Sequence, residues 1–337
     1  MDTNVKASII LPVYNAEAFL AEAIESILNQ SFKDFELIIL NDGSTDASKD
    51  IILSFDDARI KYIENETNLG LIKTPNKGIG LCNGKYIIRM DADDICEPQR
   101  IEKQILFMEK HPDIGVCGTW AKVINKKGEI TGKIVNQTNP LFVSISLLFS
   151  APLVQPATCF KASILKKHLY HDVTIAEDYD LWTRLDKETK MANIPEYLFR
   201  YRWHDTNISK TKQELQEQIK ETLIRRVLSE LSLNPNDEMM QIHRLSFSLY
   251  TLGKGTQTKV NPSDLKKSGQ WFSKLLSSNK LHKKYNQQAL RAFLWGRWFV
   301  LCKTAKKTHK AFFPPFFSLS PKVWYYLLQQ ILLLAKK

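Results

Sequence analysis

Acidic side chains are almost missing from the last 99 residues of this 337-residue chain. Asp264 is the single acid between positions 239 and 337, against 18 Lys and Arg. The first 238 residues carry 29 basic and 35 acidic side chains, so the formal net charge of +11 comes from one end of the chain. Such an asymmetry indicates a negatively charged partner for the C-terminal part.

Paired cysteines are also missing. The five cysteines are scattered, and no two of them have the spacing of a zinc site or a redox motif. We therefore expect reduced, mostly buried thiols, as in a cytosolic protein. The first apolar run, residues 7–14, is too short for a signal peptide, which also favours a cytoplasmic location.

Several functional classes lack their sequence signals. No G-x-G-x-x-G follows an apolar run, so a dinucleotide-dependent oxidoreductase is poorly supported. A sugar-nucleotide pyrophosphorylase would need a glycine-rich, basic loop after the first strand, and "PVYNAEAF" is not one. The longest late apolar run, residues 323–335, contains two glutamines and is too short to span a hydrocarbon layer of about 30 Å.

What the first two hundred residues do contain is an alternation of strand and helix patterns. Short apolar runs rich in β-branched residues are followed by stripes of helical period, of which the first is preceded by Asn15 as a candidate N-cap. Because parallel strands need a crossover, usually a helix, the alternation predicts an α/β fold with a mostly parallel sheet. The predicted strands are 7–14, 35–42, 59–64, 85–91, 114–124 and 197–204, and the predicted helices include 99–111 and 177–185.

Polar clusters follow three of these strands. They are "YN" at 14–15, "NDGSTD" at 41–46 and "DADD" at 91–94. In open α/β sheets, ligands bind beyond the carboxyl ends of the strands. We therefore expect the three clusters to converge on one cleft.

The "DADD" cluster places three carboxylates in four positions. Asp91, Asp93 and Asp94 repel one another, and an ordinary strand end gains nothing from crowding them. A divalent cation would relieve the repulsion, since Mg²⁺ and Mn²⁺ prefer oxygen ligands.

Taken in order, the motifs resemble those of the family 2 inverting glycosyltransferases of GT-A fold, a large bacterial group that builds surface polysaccharides. The resemblance covers residues 6–210. It implies a Rossmann-like, mostly parallel sheet with flanking helices and a catalytic domain at 1–210. Outside the family's shared core, the composition and pattern of residues 211–337 predict a basic, aromatic, helical C-terminal region. The motifs that carry it are "SIILPVYN", "NDGSTD", "NLG" with "PNKGIG", "GKYIIRMDADD", "EDYDLW" and "YRWHDTNIS".

The resemblance implies a metal site for Mn²⁺ or Mg²⁺. Asp93 would be the direct metal ligand, and Asp91 would contact the donor's ribose or a metal-bound water. His204 would approach the metal or the diphosphate, although a histidine at a strand end is as often structural. Arg202 and Lys210 are further candidates for contacts with phosphate oxygens.

The resemblance also implies a nucleotide site and a general base. Asp42 would accept a hydrogen bond from the nucleobase, and Pro12 with Tyr14 would form the floor under the base. The alternative for Pro12 and Tyr14 is strand termination and core filling. Asp178 would take the proton of the acceptor hydroxyl, as an inverting transfer requires of one carboxylate.

The implied activity is metal-dependent, inverting transfer of a sugar from a nucleotide-diphosphate donor, with UDP-sugar favoured, to a glycan or lipid-linked acceptor. The chain departs from the family pattern at 154–163, where Gln155 stands in place of a common histidine. Since that stretch faces the acceptor in relatives, the identity of the acceptor is the property that the resemblance predicts least.

The C-terminal region interleaves basic residues with aromatics, including Trp271, Trp295, Trp298 and Trp324. This composition is typical of a helix region that lies on an anionic membrane surface. Alternatively, these helices pack on the catalytic domain and the charges are solvated. Nucleic-acid binding has no binding module to support it, and the non-enzyme alternative is a degenerate GT-A domain that acts as a membrane-surface or nucleic-acid binding protein.

Overall fold

The computed structural model describes residues 5–173, 175–205, 207, 211–251, 260–307, 310, 313–318 and 320–334. The chain divides into two compact units. The first comprises Met1–Thr138 and Ala151–Ile219, and the second comprises Asn139–Ser150 and Lys220–Lys337. The predicted catalytic boundary at residue 210 is a statement about function and stays a prediction.

The first unit is built on one mixed sheet with helices around it. Its strands are β1 (Ala7–Val13), β2 (Phe35–Asn41), β3 (Ile60–Glu64), β4 (Tyr86–Arg89), β5 (Ile95–Cys96), β6 (Ile114–Ile124), β7 (Ile130–Ile134), β8 (Cys159–Lys161) and β9 (Lys190–Arg202). The helices up to β9 are α1 (Leu20–Leu28), α2 (Ser48–Leu53), α3 (Gly70–Leu81), α4 (Arg100–Lys110), α5 (Pro140–Ser146), α6 (Ala162–Leu165) and α7 (Glu177–Leu185), of which α5 belongs to the second unit.

The sheet order is β3-β2-β1-β4-β8-β6-β9-β5, and β7 pairs with β6 beside it. Strands β1 to β4 are parallel because α1, α2 and α3 return the chain between them. Strand β8 runs antiparallel between β4 and β6, while β6 and β9 are parallel. The α/β class is confirmed, and the parallel arrangement that the alternation predicts holds for β1 to β4 and for the pair β6 and β9.

The core of the first unit follows from the apolar patterns. Strands β1 and β2 are buried almost along their whole length. The buried residues of α1 recur at spacings of three and four, which turns one stripe of the helix onto the sheet. The predicted N-cap at Asn15 is wrong: Asn15 has a left-handed backbone (φ 49°), and α1 begins only at Leu20.

The turn into β4 is packed tightly against β1. Gly84 donates its amide to Ser8 Oγ at 2.8 Å, and Asn83 donates its amide to the buried Glu36 carboxylate at 2.7 Å. A Cβ at Gly84 would lie 2.6 Å from the backbone of Ala7 and Ser8. Because β4 leads directly into "DADD", this turn sets the position of those carboxylates.

The second unit is helical. It contains α5 with α8 (Gln213–Ser229, which begins in the first unit), α9 (Asp237–Thr251), α10 (Pro262–His282), α11 (Gln287–Thr304) and α12 (Pro321–Leu334). Three of the tryptophans expected at a membrane surface, Trp271, Trp295 and Trp298, are buried here, and Trp324 is exposed. Those three therefore pack in the helical core, where aromatic side chains bury large areas.

A buried histidine connects the helices of this unit. The ring of His243 stacks on Phe149, with 4.5 Å between ring centroids, and Trp271 Nε1 donates to its Nδ1 at 2.9 Å. His243 Nε2 lies 2.7 Å from the Leu148 carbonyl oxygen. Burial lowers the pKa of His243 to about 4, so the ring is neutral at physiological pH.

Two expectations about the whole chain can be compared directly with the structure. All five cysteines are buried and none forms a disulfide, as the scattered spacing predicted. Among the described helices, none is both long enough and apolar enough to cross a membrane.

We predict that Gly84→Ala lowers the stability of the chain. The new methyl group would collide with β1 backbone atoms, which cannot move aside cheaply, and overpacking of this kind costs about 1–3 kcal/mol. Thermal unfolding should show a midpoint lowered by several degrees. Gly80→Ala is the matched control, since a Cβ there meets nothing within 4 Å and alanine favours the helix; equal midpoints for the two variants would contradict the prediction.

Candidate active site

The loops after β1 and β2 are bonded to each other. Asn15 donates its amide to Ser44 Oγ at 3.1 Å, and its side-chain oxygen accepts from the Thr45 amide at 2.9 Å. Glu17 donates its amide to Asp46 at 3.0 Å. These contacts place two of the three predicted polar clusters side by side, because parallel neighbours end at the same edge of the sheet.

Asp42 is buried at the end of β2 and accepts four hydrogen bonds. Oδ1 accepts from Thr74, Asn65 and the Leu69 amide at 2.6–2.9 Å, and Oδ2 accepts from the Gly70 amide at 2.9 Å. Burial opposes ionisation, but these hydrogen bonds outweigh it and lower the pKa of Asp42. The carboxylate therefore organises the start of α3, and Oδ2 is the oxygen with spare capacity for a further donor.

Pro12 and Tyr14 end β1 beside this loop. Pro12 is half-buried in the strand, in register with Leu40 of β2. Tyr14 is 51% exposed, so its ring is not core filling, which was the alternative to a role under the base. An exposed aromatic ring at a strand end offers a flat apolar surface for a planar ligand.

Arg89, the last residue of β4, is a buried cation directly before the acidic cluster. Its Nη2 lies 3.1 Å from Asp91 Oδ1, while Nε and Nη1 are buried without a hydrogen-bond partner among the described residues. The Asp91 side chain is 38% exposed. Arg89 thus provides positive charge behind a carboxylate that remains accessible.

Asp93 is held by the segment after β9. His204 Nε2 lies 2.9 Å from Asp93 Oδ2, and Asn207 donates to the same oxygen at 3.3 Å. The His204 ring is almost fully buried and tilts against Phe19. Asp93 and His204 are therefore brought together, and Lys210 lies outside the described residues.

Asp94 and Arg202 fix the loop that carries Asp93 through hydrogen bonds. Asp94 Oδ1 accepts from the Arg202 amide at 2.7 Å, and Arg202 Nε donates to the Asp93 carbonyl at 2.7 Å. The guanidinium also reaches Glu22 and the Asn125 carbonyl. Burial together with the nearby carboxylates raises the pKa of Asp94 well above its usual range, and Arg202 is used within the protein to hold the loop.

Asp178 lies in the first turn of α7, next to Glu177. Tyr179 donates its amide to Asp178 Oδ1 at 2.7 Å. Leu181 and Trp182 of the same helix are fully buried, so the half-buried Asp178 lies at the edge of an apolar wall, as its helical spacing predicted. Asp178 also acts electrostatically on Asp91, which connects α7 to the acidic loop.

The neighbouring carboxylates of α7 have different environments. Burial, reinforced by the charge of Asp178, raises the pKa of Glu177 to about 7. Asp180 is buried and paired with Arg184 Nε at 2.8 Å, with His171 Nδ1 at 3.6 Å. Asp180 is therefore bound in an ion pair, and Glu177 and Asp178 are the carboxylates of this helix that interact electrostatically with Asp91.

The side chains around Asp93 fit a metal cation that binds few protein ligands. Within the described residues, no group of three or more His, Cys, Asp or Glu side chains is arranged to hold a metal by itself. Asp93 and His204 supply one oxygen and one nitrogen, with the accessible Asp91 nearby. Mg²⁺-type sites commonly use one or two carboxylates and complete their shell with phosphate oxygens and water, so the residues fit a cation that arrives with a diphosphate.

Sequence reasoning missed Arg89 and Asn207. A charged residue within the apolar run "YIIRM" was the signal for Arg89, because a buried charge needs a partner. Asn207 follows His204 by three residues and had no signal of its own.

We predict that Asp42→Asn is destabilising in a pH-dependent way. At pH 7 the amide oxygen can replace only one carboxylate oxygen, so the NH2 group in the Oδ2 position would face the Gly70 amide donor, at a cost of about 1–3 kcal/mol. The lowered pKa means that the wild-type carboxylate stabilises the fold above its ordinary pKa and loses this contribution as the pH falls through its folded-state pKa. The difference in unfolding free energy between the wild type and Asp42→Asn, measured by denaturant unfolding, should therefore decrease below about pH 4. Asp56→Asn, at an exposed site, is the control; a difference independent of pH would contradict the prediction.

Known proteins resemble this chain in sequence. Residues 8–173 match the model of the family "Glycosyl transferase family 2". An uncharacterized glycosyltransferase of Haemophilus influenzae is 38% identical over 217 residues, which are 60% of this chain and 67% of that protein. The O-antigen biosynthesis glycosyltransferase WbnJ of Escherichia coli is 33% identical over 211 residues, 60% of this chain and 82% of that protein.

Solved structures share the fold at low sequence identity. S. aureus TarS 1–349 in complex with UDP-GlcNAc has a TM-score of 0.57 at 16% identity, covering 91% of this chain and 90% of that one. The mannosyltransferase PcManGT of Pyrobaculum calidifontis, in complex with GDP-Man and Mn²⁺, has a TM-score of 0.52 at 13% identity, covering 91% and 87%. With relatives above 30% identity that match two thirds or more of their own length, the chain belongs to glycosyl transferase family 2 and is a glycosyltransferase of GT-A fold.

Proposed function

We propose that the chain transfers a sugar, with inversion, from a nucleotide-diphosphate donor to a glycan or lipid-linked acceptor in the synthesis of a cell-surface polysaccharide. UDP-sugar is the favoured donor. The observation that carries the proposal is the contact between groups far apart in sequence: Asp93 Oδ2 lies 2.9 Å from His204 Nε2, two residues from the accessible Asp91. A site of this kind can hold a donor diphosphate on one side and deprotonate an acceptor on the other.

The names of the relatives support the proposal. WbnJ is named for O-antigen biosynthesis. TarS has been solved with UDP-GlcNAc, and PcManGT with GDP-Man and Mn²⁺. Both bound ligands are nucleotide-diphosphate sugars, which is the donor class proposed for this chain.

The donor would bind across the ends of β1, β2 and β4. Tyr14 and Pro12 would support the base from below, and Asp42 Oδ2 would accept its ring N–H. Asp93 and His204 would hold Mn²⁺ or Mg²⁺, with Asp91 contacting the ribose or a metal-bound water. When bound, the cation would neutralise the charge that develops on the departing diphosphate.

Asp178 would act as the general base. It would take the acceptor hydroxyl's proton as that oxygen attacks the face of the sugar opposite the diphosphate. One observation favours Glu177 as a competing base, because a pKa of about 7 suits proton transfer near neutral pH. The two assignments predict opposite transfer activities for the variants Asp178→Asn and Glu177→Gln.

We predict that Asp93→Ala abolishes metal-dependent donor binding. Calorimetric titration with a panel of nucleoside diphosphates, with and without Mn²⁺, should show tight binding of one nucleotide by the wild type only when the metal is present. Asp93→Ala should lose the increase in nucleotide affinity that Mn²⁺ gives the wild type, while Asp56→Ala, at an exposed site, should keep it. Absence of nucleotide binding by the wild type under both conditions would instead favour the degenerate-domain alternative.

We predict that Asp178→Asn stops transfer without weakening donor binding. Loss of a general base lowers the rate by about 10²–10⁴-fold, which a radiolabelled-donor assay with the matching acceptor would detect. Glu177→Gln is the matched control, since it neutralises the adjacent carboxylate at nearly constant size. Near-normal turnover of Asp178→Asn combined with an inactive Glu177→Gln would move the base to Glu177.

A further inference from the structure

Helix α12 presents an unusual apolar face to solvent. Trp324, Tyr325, Leu328, Ile331 and Leu332 are each 46–62% exposed. At 3.6 residues per turn, these five positions fall within one arc of about 120°. Isolated exposed apolar side chains are common, but a contiguous row of five marks an interaction surface. We call this row the α12 face.

The α12 face is not needed to hold the helix in the second unit. The opposite side of α12 already packs inward, with Val323, Leu327, Gln330 and Leu333 buried. A Cβ at Gly296 of α11 would lie 3.5 Å from Gln330, so the two helices approach closely there. The helix is therefore apolar on two sides, and the fold accounts for one of them.

Aromatic rings extend the α12 face toward the preceding segment. Phe317 lies 6.5 Å from Trp324 and 5.3 Å from Phe313, measured between ring centroids. Phe313 is 71% exposed. The exposed surface thus combines aliphatic side chains with Trp, Tyr and Phe, which is the composition that settles at the headgroup level of a bilayer.

The surrounding sequence supplies cations without internal partners. Lys303, Lys306, Lys307, Lys310 and Lys322 are exposed, and none of them forms an ion pair within the part of the chain that the structure describes. Asp264, the single acid between 239 and 337, accepts from the Asn261 amide at 2.9 Å in the capping box of α10. These five lysines therefore carry positive charge that no acid among the described residues neutralises.

We propose that the α12 face binds the surface of an anionic phospholipid bilayer, with the helix lying in the plane of the interface. Its 14 residues span only about 21 Å, less than the hydrocarbon thickness of about 30 Å. Helices with an apolar face and neighbouring lysines bind such surfaces through buried area and attraction to acidic lipids together. This inference rests on the proposed function in one respect, which is that the bilayer surface would present a lipid-linked acceptor. Its test measures binding of the chain to vesicles and not sugar transfer.

Sedimentation of the full chain with vesicles tests the proposal. Vesicles of phosphatidylglycerol and phosphatidylethanolamine should bind the wild type, and vesicles of phosphatidylcholine should bind it much more weakly. Leu328→Glu with Leu332→Glu should reduce partitioning to anionic vesicles by about 100-fold or more, because burial of two leucines is lost. The matched control is Leu53→Glu with Leu281→Glu, two exposed leucines outside α12, which should change partitioning much less.

The contribution of the lysines is tested separately. Lys306→Gln with Lys307→Gln should weaken binding to anionic vesicles by about fivefold per residue and leave binding to neutral vesicles unchanged. Lipids brominated near the headgroup should quench tryptophan emission in the wild type and much less in Trp324→Phe, since the other tryptophans of this unit are buried.

Three results would overturn the proposal. The first is a wild type that stays in solution with anionic vesicles, and the second is a Leu328→Glu, Leu332→Glu variant that partitions like the wild type. The third is a wild-type dimer, seen by sedimentation velocity, that this double variant dissociates; the face would then bind a second copy of the chain. All the substituted side chains are exposed, so unchanged circular dichroism should accompany each measurement.

Discussion

The site depends on the hydrogen bonds that join the buried Asp94 to the buried Arg202 and Arg202 to the loop of Asp93. Asp94 binds the backbone of Arg202, and the Arg202 side chain binds the Asp93 carbonyl in return. These bonds join the loop after β4 to the end of β9, so that His204 lies against Asp93. A loop carrying three adjacent carboxylates would otherwise spread to reduce repulsion, and the interaction with Arg202 opposes this.

A similar principle operates at the end of β2. Asp42 is ionised in a buried position because four donors from the loop and start of α3 surround it. The same carboxylate is thus both a structural centre and the proposed contact for the nucleobase. Its two oxygens differ: Oδ1 is occupied by the protein, while Oδ2 accepts one bond and keeps capacity for another. Asp42 can therefore hold the loop in place and also serve as the proposed contact for the nucleobase.

The two units solve different physical problems. The sheet unit places charged groups at strand ends, where the proposed donor and cation would bind. The helical unit buries Phe149 and Trp271 against His243 and leaves one apolar row on α12, close in sequence to lysines that form no ion pair within the described residues. The +17 charge of residues 239–337 is thus accompanied by a specific surface that an anionic partner could use.

The sequence by itself determined the α/β class, the family and the strands β1 to β4, β6 and β9, because apolar period and motif order are local properties. The strand 114–124 and the helix 177–185 have their predicted bounds. Tertiary structure alone decided the antiparallel insertion of β8, the commitment of Asp180 to Arg184 and the partners of Arg89 and Asn207. It also decided which tryptophans are buried. These features depend on contacts between segments distant in the chain, and residue type cannot say which side of a helix meets a neighbour and which meets solvent.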